Sequence, residues 1–288
     1  MTDEVRIVPR AQRDGLGEGP HWSARAHALY WVDIIGQRLN RLSLADDTIA
    51  HWDMAEPIGW AIEREAAPGL VVGLQSGFHL LELDQTPCRL TLLKALETDR
   101  PMNRMNDAKA DPRGRIWAGT MPMDMSGPTG GFYRFDPNLS VARVDDGYHI
   151  PNGPAISPDC AWLLHTDSAL RTIYRLPVHD DGSLGPRTDF IQFEPHWGHP
   201  DGMTFDIEGG LWVAHWGAGC VSRFDEQGRR ERWIDLPASQ ITSCTFAGVG
   251  LDRMFVTSAA DGIDEQHGGA LFEVDPGCTG LPTCTFGG

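Results

Sequence analysis

Pro200-Asp-Gly-Met-Thr-Phe-Asp-Ile-Glu-Gly-Gly-Leu-Trp-Val-Ala-His-Trp216 is the stretch from which the fold can be read. It places a carboxylate ahead of a short strand, then a Gly-Gly turn, then a second strand. Two further strand-like runs follow, Val221–Asp225 and Arg230–Asp235. Together with Gly202–Asp206 and Leu211–Trp216 they make a four-strand unit. Turn-formers separate them: Gly209-Gly210, Gly217-Ala-Gly219 and Glu226-Gln-Gly228 stand where an antiparallel chain must reverse.

The layout recurs. Asn106-Asp107 leads to Gly114-Arg-Ile-Trp117, Asn152-Gly153 leads to Trp162, and Glu18-Gly-Pro-His-Trp22 leads to Ala28–Asp33. Weaker copies begin near Gly59 and Cys244. The starting positions 18, 59, 106, 152, 201 and 244 lie 41, 47, 46, 49 and 43 residues apart. Six such units predict an all-β chain, a six-bladed β-propeller of four-stranded antiparallel blades, as a single domain over 1–288. A strand at about Val5–Val8 is expected to complete the last blade and remove a bare sheet edge. The run Leu90–Thr98 reads as strand plus loop. Residues 121–131 form an insertion expected to cover one mouth of the propeller.

Bulk properties narrow the function. The chain has 288 residues, 41% apolar, with 33 Gly and 20 Pro, a composition suited to many tight turns. Its formal charge of −16 argues against nucleic acid or an anionic membrane surface as partner, because both demand clustered Lys and Arg. It permits a local cation site. The six cysteines form no C-x-x-C pair, so a zinc knuckle or thioredoxin-type site is not expected, although Cys278 and Cys284 are spaced to allow a pairing. The first residues lack a signal-peptide apolar run, and no apolar stretch reaches the roughly 18 residues of a membrane span. A cytoplasmic monomer is the expectation.

In a propeller the innermost strands run along a central channel, so equivalent starting positions share one height. Here they are Glu18, Gly59, Asn106, Asn152, Asp201 and Cys244. Asn and Asp before Gly also cap turns, but four oxygen-bearing residues at one phase point to a site. Two converging carboxylates repel unless a cation lies between them. Glu18, Asp201 and the amide oxygen of Asn152 form a hard oxygen set of charge −2, suited to one divalent ion. Calcium is the first expectation, with zinc, manganese, magnesium or iron also compatible. Trp31, Trp117, Trp162 and Trp212 repeat at one phase of the second strand and read as blade core. His21, His165 and His215 read as packed strand residues, and His196 and His199 as surface or loop residues. The chain has no G-x-S-x-G elbow and no H-E-x-x-H, so serine-nucleophile and zincin chemistry are unsupported.

Taken together, Gly17–Trp22, Tyr30–Asp33, Asn103–Asp107, Asp111–Gly114, Ala118–Met121, Pro151–Pro154, His165–Ser168, Pro200–Gly202, Gly268–Phe272 and Gly280–Pro282 give the chain a family likeness along nearly its whole length. It resembles the family of gluconolactonase, regucalcin (senescence marker protein) and luciferin-regenerating enzyme. The resemblance implies a six-bladed propeller with one catalytic divalent metal. It places Glu18, Asn152 and Asp201 on metal-ligand positions and Arg104 and Asn106 on substrate-contacting positions. Asp124 lies in the inserted loop where some members carry an acidic sugar-binding residue, though Pro122 and Met123 make this loop different. The implied reaction is hydrolysis of a sugar lactone, such as gluconolactone, arabinonolactone or xylonolactone, to the aldonic acid, with Asp201 as the catalytic residue that orients or deprotonates water. Two other readings predict different chemistry: a metal-dependent esterase or phosphotriesterase with a more apolar mouth, and a non-catalytic calcium-binding propeller.

Overall fold

In a computed structural model, which describes residues 5–288, strands β1–β24 form six four-stranded antiparallel sheets. Blade 1 is β2 (Gly17–Ser23), β3 (Ala28–Asp33), β4 (Arg38–Ser43) and β5 (Ile49–Asp53). Blade 2 is β6 (Ile58–Glu63), β7 (Leu70–Leu74), β8 (Gly77–Glu82) and β9 (Arg89–Ala95). Blade 3 is β10 (Asn103–Ala110), β11 (Ile116–Pro122), β12 (Gly130–Phe135) and β13 (Val141–Tyr148). Blade 4 is β14 (Pro151–Ile156), β15 (Trp162–Asp167), β16 (Thr172–Pro177) and β17 (Thr188–Gln192). Blade 5, the opening stretch, is β18 (His199–Phe205), β19 (Leu211–Trp216), β20 (Cys220–Phe224) and β21 (Arg230–Asp235). Successive inner strands pack on one another, and β2 meets β22 (Ile241–Ala247), so the ring closes. The expected architecture stands: a six-bladed propeller. The run at Leu90–Thr98 is strand β9 with a loop after it.

Blade 6 joins both ends of the chain. Strands β22, β23 (Arg253–Ser258) and β24 (Leu271–Val274) are completed by β1 (Arg6–Ile7), with Arg6 opposite Glu273 and Ile7 opposite Phe272. Arg6 also pairs with the Glu273 carboxylate at 2.6 Å, and the Val8 N–H donates to Leu271 O at 2.9 Å. The expected closing strand is therefore present. After β24 the chain straps the base of the ring. Ile207 N–H donates to Thr279 O at 2.9 Å, Gly280 N–H to Leu251 O at 2.7 Å, Phe286 N–H to Glu63 O at 2.8 Å and Gly287 N–H to Gly114 O at 3.0 Å. The strap thereby touches blades 5, 6, 2 and 3.

Core side chains lie between blades. Trp31, Trp117 and Trp212 are fully buried, as their phase predicts. Each donates its indole N–H to a carboxylate of its own blade or the preceding loop: Asp14 at 2.9 Å, Asp111 at 2.8 Å and Asp206 at 2.9 Å. Trp162 differs. It is only partly buried, and the Arg175 guanidinium lies over its ring at 4.4 Å. His21, His165 and His215 are buried strand residues, as expected. His196 is exposed, whereas His199 begins β18 and binds Ser168 O through Nδ1 at 2.8 Å. All six cysteines are free thiols, so Cys278 and Cys284 are unpaired. Among the described residues no helix is long and apolar enough to cross a membrane.

Candidate active site in the propeller channel

The inner strands share one irregularity. Register breaks between Glu18 and His21, Ile58 and Trp60, Met105 and Ala108, Asn152 and Ala155, Pro200 and Met203, and Ile241 and Ser243. A bulge leaves residues without a ladder partner and re-aims side chains, so six bulges at one height build a ring. Glycine is needed where the ring is tightest. A Cβ on Gly153, whose φ is +49°, would lie 2.7 Å from Asp201 O, and one on Gly202 would lie 2.0 Å from Ser243 Oγ.

This geometry corrects the sixth starting position. Cys244 is paired with Val256 in regular ladder and packs in the core between blades 5 and 6. The bulge residue of blade 6 is Thr242, whose Oγ1 donates to Gly17 O at 2.5 Å. The β-branched run Ile241–Thr245 offered no Gly, Asp or Asn to mark the phase.

Glu18, Asn106, Asn152 and Asp201 are buried at the ring, each 4–5% exposed. One hydrogen-bond chain connects most of it. Arg104 Nη1 donates to Asn106 Oδ1 at 2.7 Å, and Asn106 Nδ2 donates to Asn152 Oδ1 at 2.7 Å and to Pro151 O at 2.9 Å. Asn152 Nδ2 donates to Ser168 Oγ at 3.0 Å, and Ser168 Oγ donates to Pro200 O at 2.7 Å. The chain thus runs from Arg104 to the backbone next to Asp201.

The electrostatics are those of a cation site. Burial, and then the charge of Asp107, push the Glu18 carboxyl up to about 8. Burial, then Glu18 and Asp107, push Asp201 well above the usual carboxylate range. Desolvation lowers the Arg104 guanidinium to about 10, outweighing the opposing pull of Glu18 and Asp201, so it stays charged at neutral pH. Asp201 Oδ1 is buried and has no hydrogen-bond partner. A buried acceptor left unpaired costs about 1–3 kcal/mol, and a bound cation would remove that cost together with the mutual repulsion. The donors gathered here are oxygens, and among the described residues no three His, Cys, Asp or Glu cluster as metal ligands. The set therefore fits a hard divalent ion held by two carboxylates and an amide.

Of the residues singled out from sequence, the structure brings Glu18, Arg104, Asn106, Asn152 and Asp201 into one channel. Asp124 stands apart, exposed on the β11–β12 loop, where its Oδ1 accepts the Ser126 N–H at 3.0 Å. Three participants were not assigned from sequence. Asp107 accepts the amides of Ala108 at 2.7 Å and Gly153 at 2.9 Å, and its charge reaches both ring carboxylates. Ser168 bridges blades 4 and 5, and Thr242 joins blade 6 to blade 1. Asp107 and Ser168 end two of the quoted motifs, which was the only signal they gave.

Known proteins share this arrangement of strands. Residues 16–260 match the family described as SMP-30/Gluconolactonase/LRE-like region. The chain is 36% identical to a pentonolactonase of Haloferax volcanii, with 96% of each chain covered. It is 35% identical to a 6-deoxy-6-sulfogluconolactonase of Pseudomonas putida, covering 91% of this chain and 89% of that one. The solved structure of a calcium-binding protein, regucalcin, from Agrobacterium tumefaciens superposes with a TM-score of 0.93 at 26% identity, covering 99% of this chain and 98% of that one.

Proposed function

The chain belongs to the SMP-30/gluconolactonase/LRE-like family, and on that premise we propose that it hydrolyses a sugar lactone of five or six carbons to the aldonic acid with the help of one divalent metal ion. The observation that carries this reading is the pair Glu18 and Asp201: two carboxylates raised above their usual range chiefly by burial, with Asp107 adding to both and Glu18 to Asp201, one with an unpartnered oxygen, beside the Arg104 fork. The similarity to two sugar lactonases supports the substrate class, and the calcium-binding relative supports calcium as the first ion to test.

Glu18, Asn152 and Asp201 would hold the ion, which supplies Lewis-acid polarisation of the lactone carbonyl. Asp201 orients the attacking water and takes its proton. The water oxygen bonds to the carbonyl carbon, the ring C–O bond breaks, and the released ring oxygen takes back the proton that Asp201 removed. Base assistance of this kind contributes on the order of 10²–10⁴-fold. Arg104 presents its planar fork to the developing oxyanion or to sugar hydroxyls. Asn106, held between Arg104 and Asn152, fixes the angle of that fork.

The deciding experiment is a pH-indicator assay over a panel of aldonolactones, aryl esters and phosphotriesters. Chelator-treated protein should lose aldonolactone turnover and regain it with a divalent ion. Asp201→Asn should retain sugar binding while kcat falls at least about 100-fold. Full turnover by Asp201→Asn, or preference for the aryl ester or phosphotriester, would sink this assignment.

A further inference from the structure

The phase that defines the ligand ring also defines a second ring. Three residues further along each inner strand stand His21, Ile62, Lys109, Ala155, Thr204 and Thr245. At about 3.3 Å per residue this level lies roughly 10 Å down the channel. All of these except Ile62 line a cavity of about 340 Å³, whose wall is completed by Leu281–Cys284 of the C-terminal strap. The two levels have opposite chemistry. The upper one gathers oxygen acceptors, the lower one gathers donors.

Lys109 is one of two lysines in a chain with 40 Asp and Glu, and it faces this cavity. Among the described residues its ammonium has no ion-pair or hydrogen-bond partner. Asp107 feels its charge, but both Asp107 carboxylate oxygens already accept the amides of Ala108 and Gly153. His21, 5% exposed, accepts the Glu63 N–H on Nε2 at 3.3 Å. The neutral ring therefore carries its proton on Nδ1, and that N–H has no acceptor among the described residues. Burial lowers the ring's pKa to about 3, so it stays neutral at ordinary pH. The hydroxyls of Thr204 and Thr283 are likewise without partners among the described residues, and Thr245 Oγ1 has only a long contact of 3.5 Å to Phe246 O. A cation and several unpaired donors thus face one cavity that no carboxylate lines, an arrangement suited to an anion.

We propose that this lower chamber is a binding site for a small oxyanion, a phosphate or a carboxylate, held by Lys109, the His21 Nδ1–H and the threonine hydroxyls. It is separate from the catalytic ring and is tested without turnover, so it stands or falls independently of the lactonase reading. The full-length protein, stripped of metal with chelator, is titrated with inorganic phosphate and, separately, with gluconate, against chloride at matched ionic strength. Binding is read by calorimetry and by thermal shift. Phosphate or gluconate should stabilise the wild type, and whichever anion does so identifies its source. Lys109→Met should weaken that binding at least about tenfold, Lys109→Arg should largely restore it, and Thr245→Val should weaken it with Lys109 intact. Absence of binding by both anions, or equal binding by wild type and Lys109→Met, overturns the proposal. If Lys109→Met does not fold, an unchanged affinity in Thr245→Val does so.

Discussion

Asp201 and His165 are both buried and both titratable, yet the sequence exposes their roles unequally. Asp201 was legible because it heads a repeated pattern and because Glu18 and Asn152 head the same pattern elsewhere. Thr242 was not, since a threonine within Ile241–Ala247 resembles any strand residue, and only the bulge opposite Ser258 and Thr257 reveals it. His165 was legible as a packed residue, but its partners were not. It stacks on Phe132 at 4.5 Å between centroids and lies 3.1 Å from the Tyr148 hydroxyl, with Nδ1 unpartnered. Burial lowers its pKa from 6.5 to about 4. The native state therefore resists a proton that the unfolded chain accepts. Stability from this group is complete above about pH 6.5 and is lost as the pH falls toward about 4. At about 1.4 kcal/mol per pKa unit, the loss is roughly 3 kcal/mol. Urea unfolding of chelator-treated protein at pH 7.5 and 4.5 should show His165→Gln losing less stability across that interval than the wild type. Parallel losses would contradict the account.

At the scale of the element, blade strands followed their alternation closely, and β19 and β21 fall on the residues that sequence spacing predicts. What spacing did not disclose is the brace inside blades 3 and 5. Asp206 accepts the amides of Glu208 at 3.0 Å and Gly210 at 2.8 Å, the Trp212 indole N–H at 2.9 Å, and Arg223 Nε at 2.7 Å. Burial pushes the Asp206 carboxyl up, but the hydrogen bonds from Arg223, Gly210 and Trp212 outweigh it and hold the group below its usual range. Asp111 does the same for Arg113, Arg115 and Trp117. Blade 4 carries Ser157 at this position, and its Trp162 is the one of Trp31, Trp117, Trp162 and Trp212 left partly open. One carboxylate thus ties the first turn to the second strand. Asp206→Ala leaves the Arg223 Nε–H and an indole N–H without their acceptor, while the guanidinium keeps Glu208 and Glu231, so it should cost about 1–3 kcal/mol. Chemical unfolding measures it; a cost under about 1 kcal/mol would show that water replaces the brace.

For the whole molecule, six repeats of 41–49 residues predict a ring, and a ring was found. The sequence said less about how it is locked, because β1 spans only Arg6–Ile7 and the strap is irregular backbone with no periodicity. Deleting residues 1–8 uncovers the β24 edge. The variant should melt roughly 5–10 °C lower and self-associate through the bare edge, as scanning calorimetry and light scattering would detect. An unchanged melting temperature would mean that the strap alone holds the circle. The pairing of Arg6 and Ile7 with Glu273 and Phe272 also fixes an order of events during biosynthesis. Strand β1 must wait for a partner 267 residues further along the chain. Until then blade 6 lacks its outer strand and the ring is closed without that lock. The ring is therefore fully locked only once the chain has been made as far as Val274.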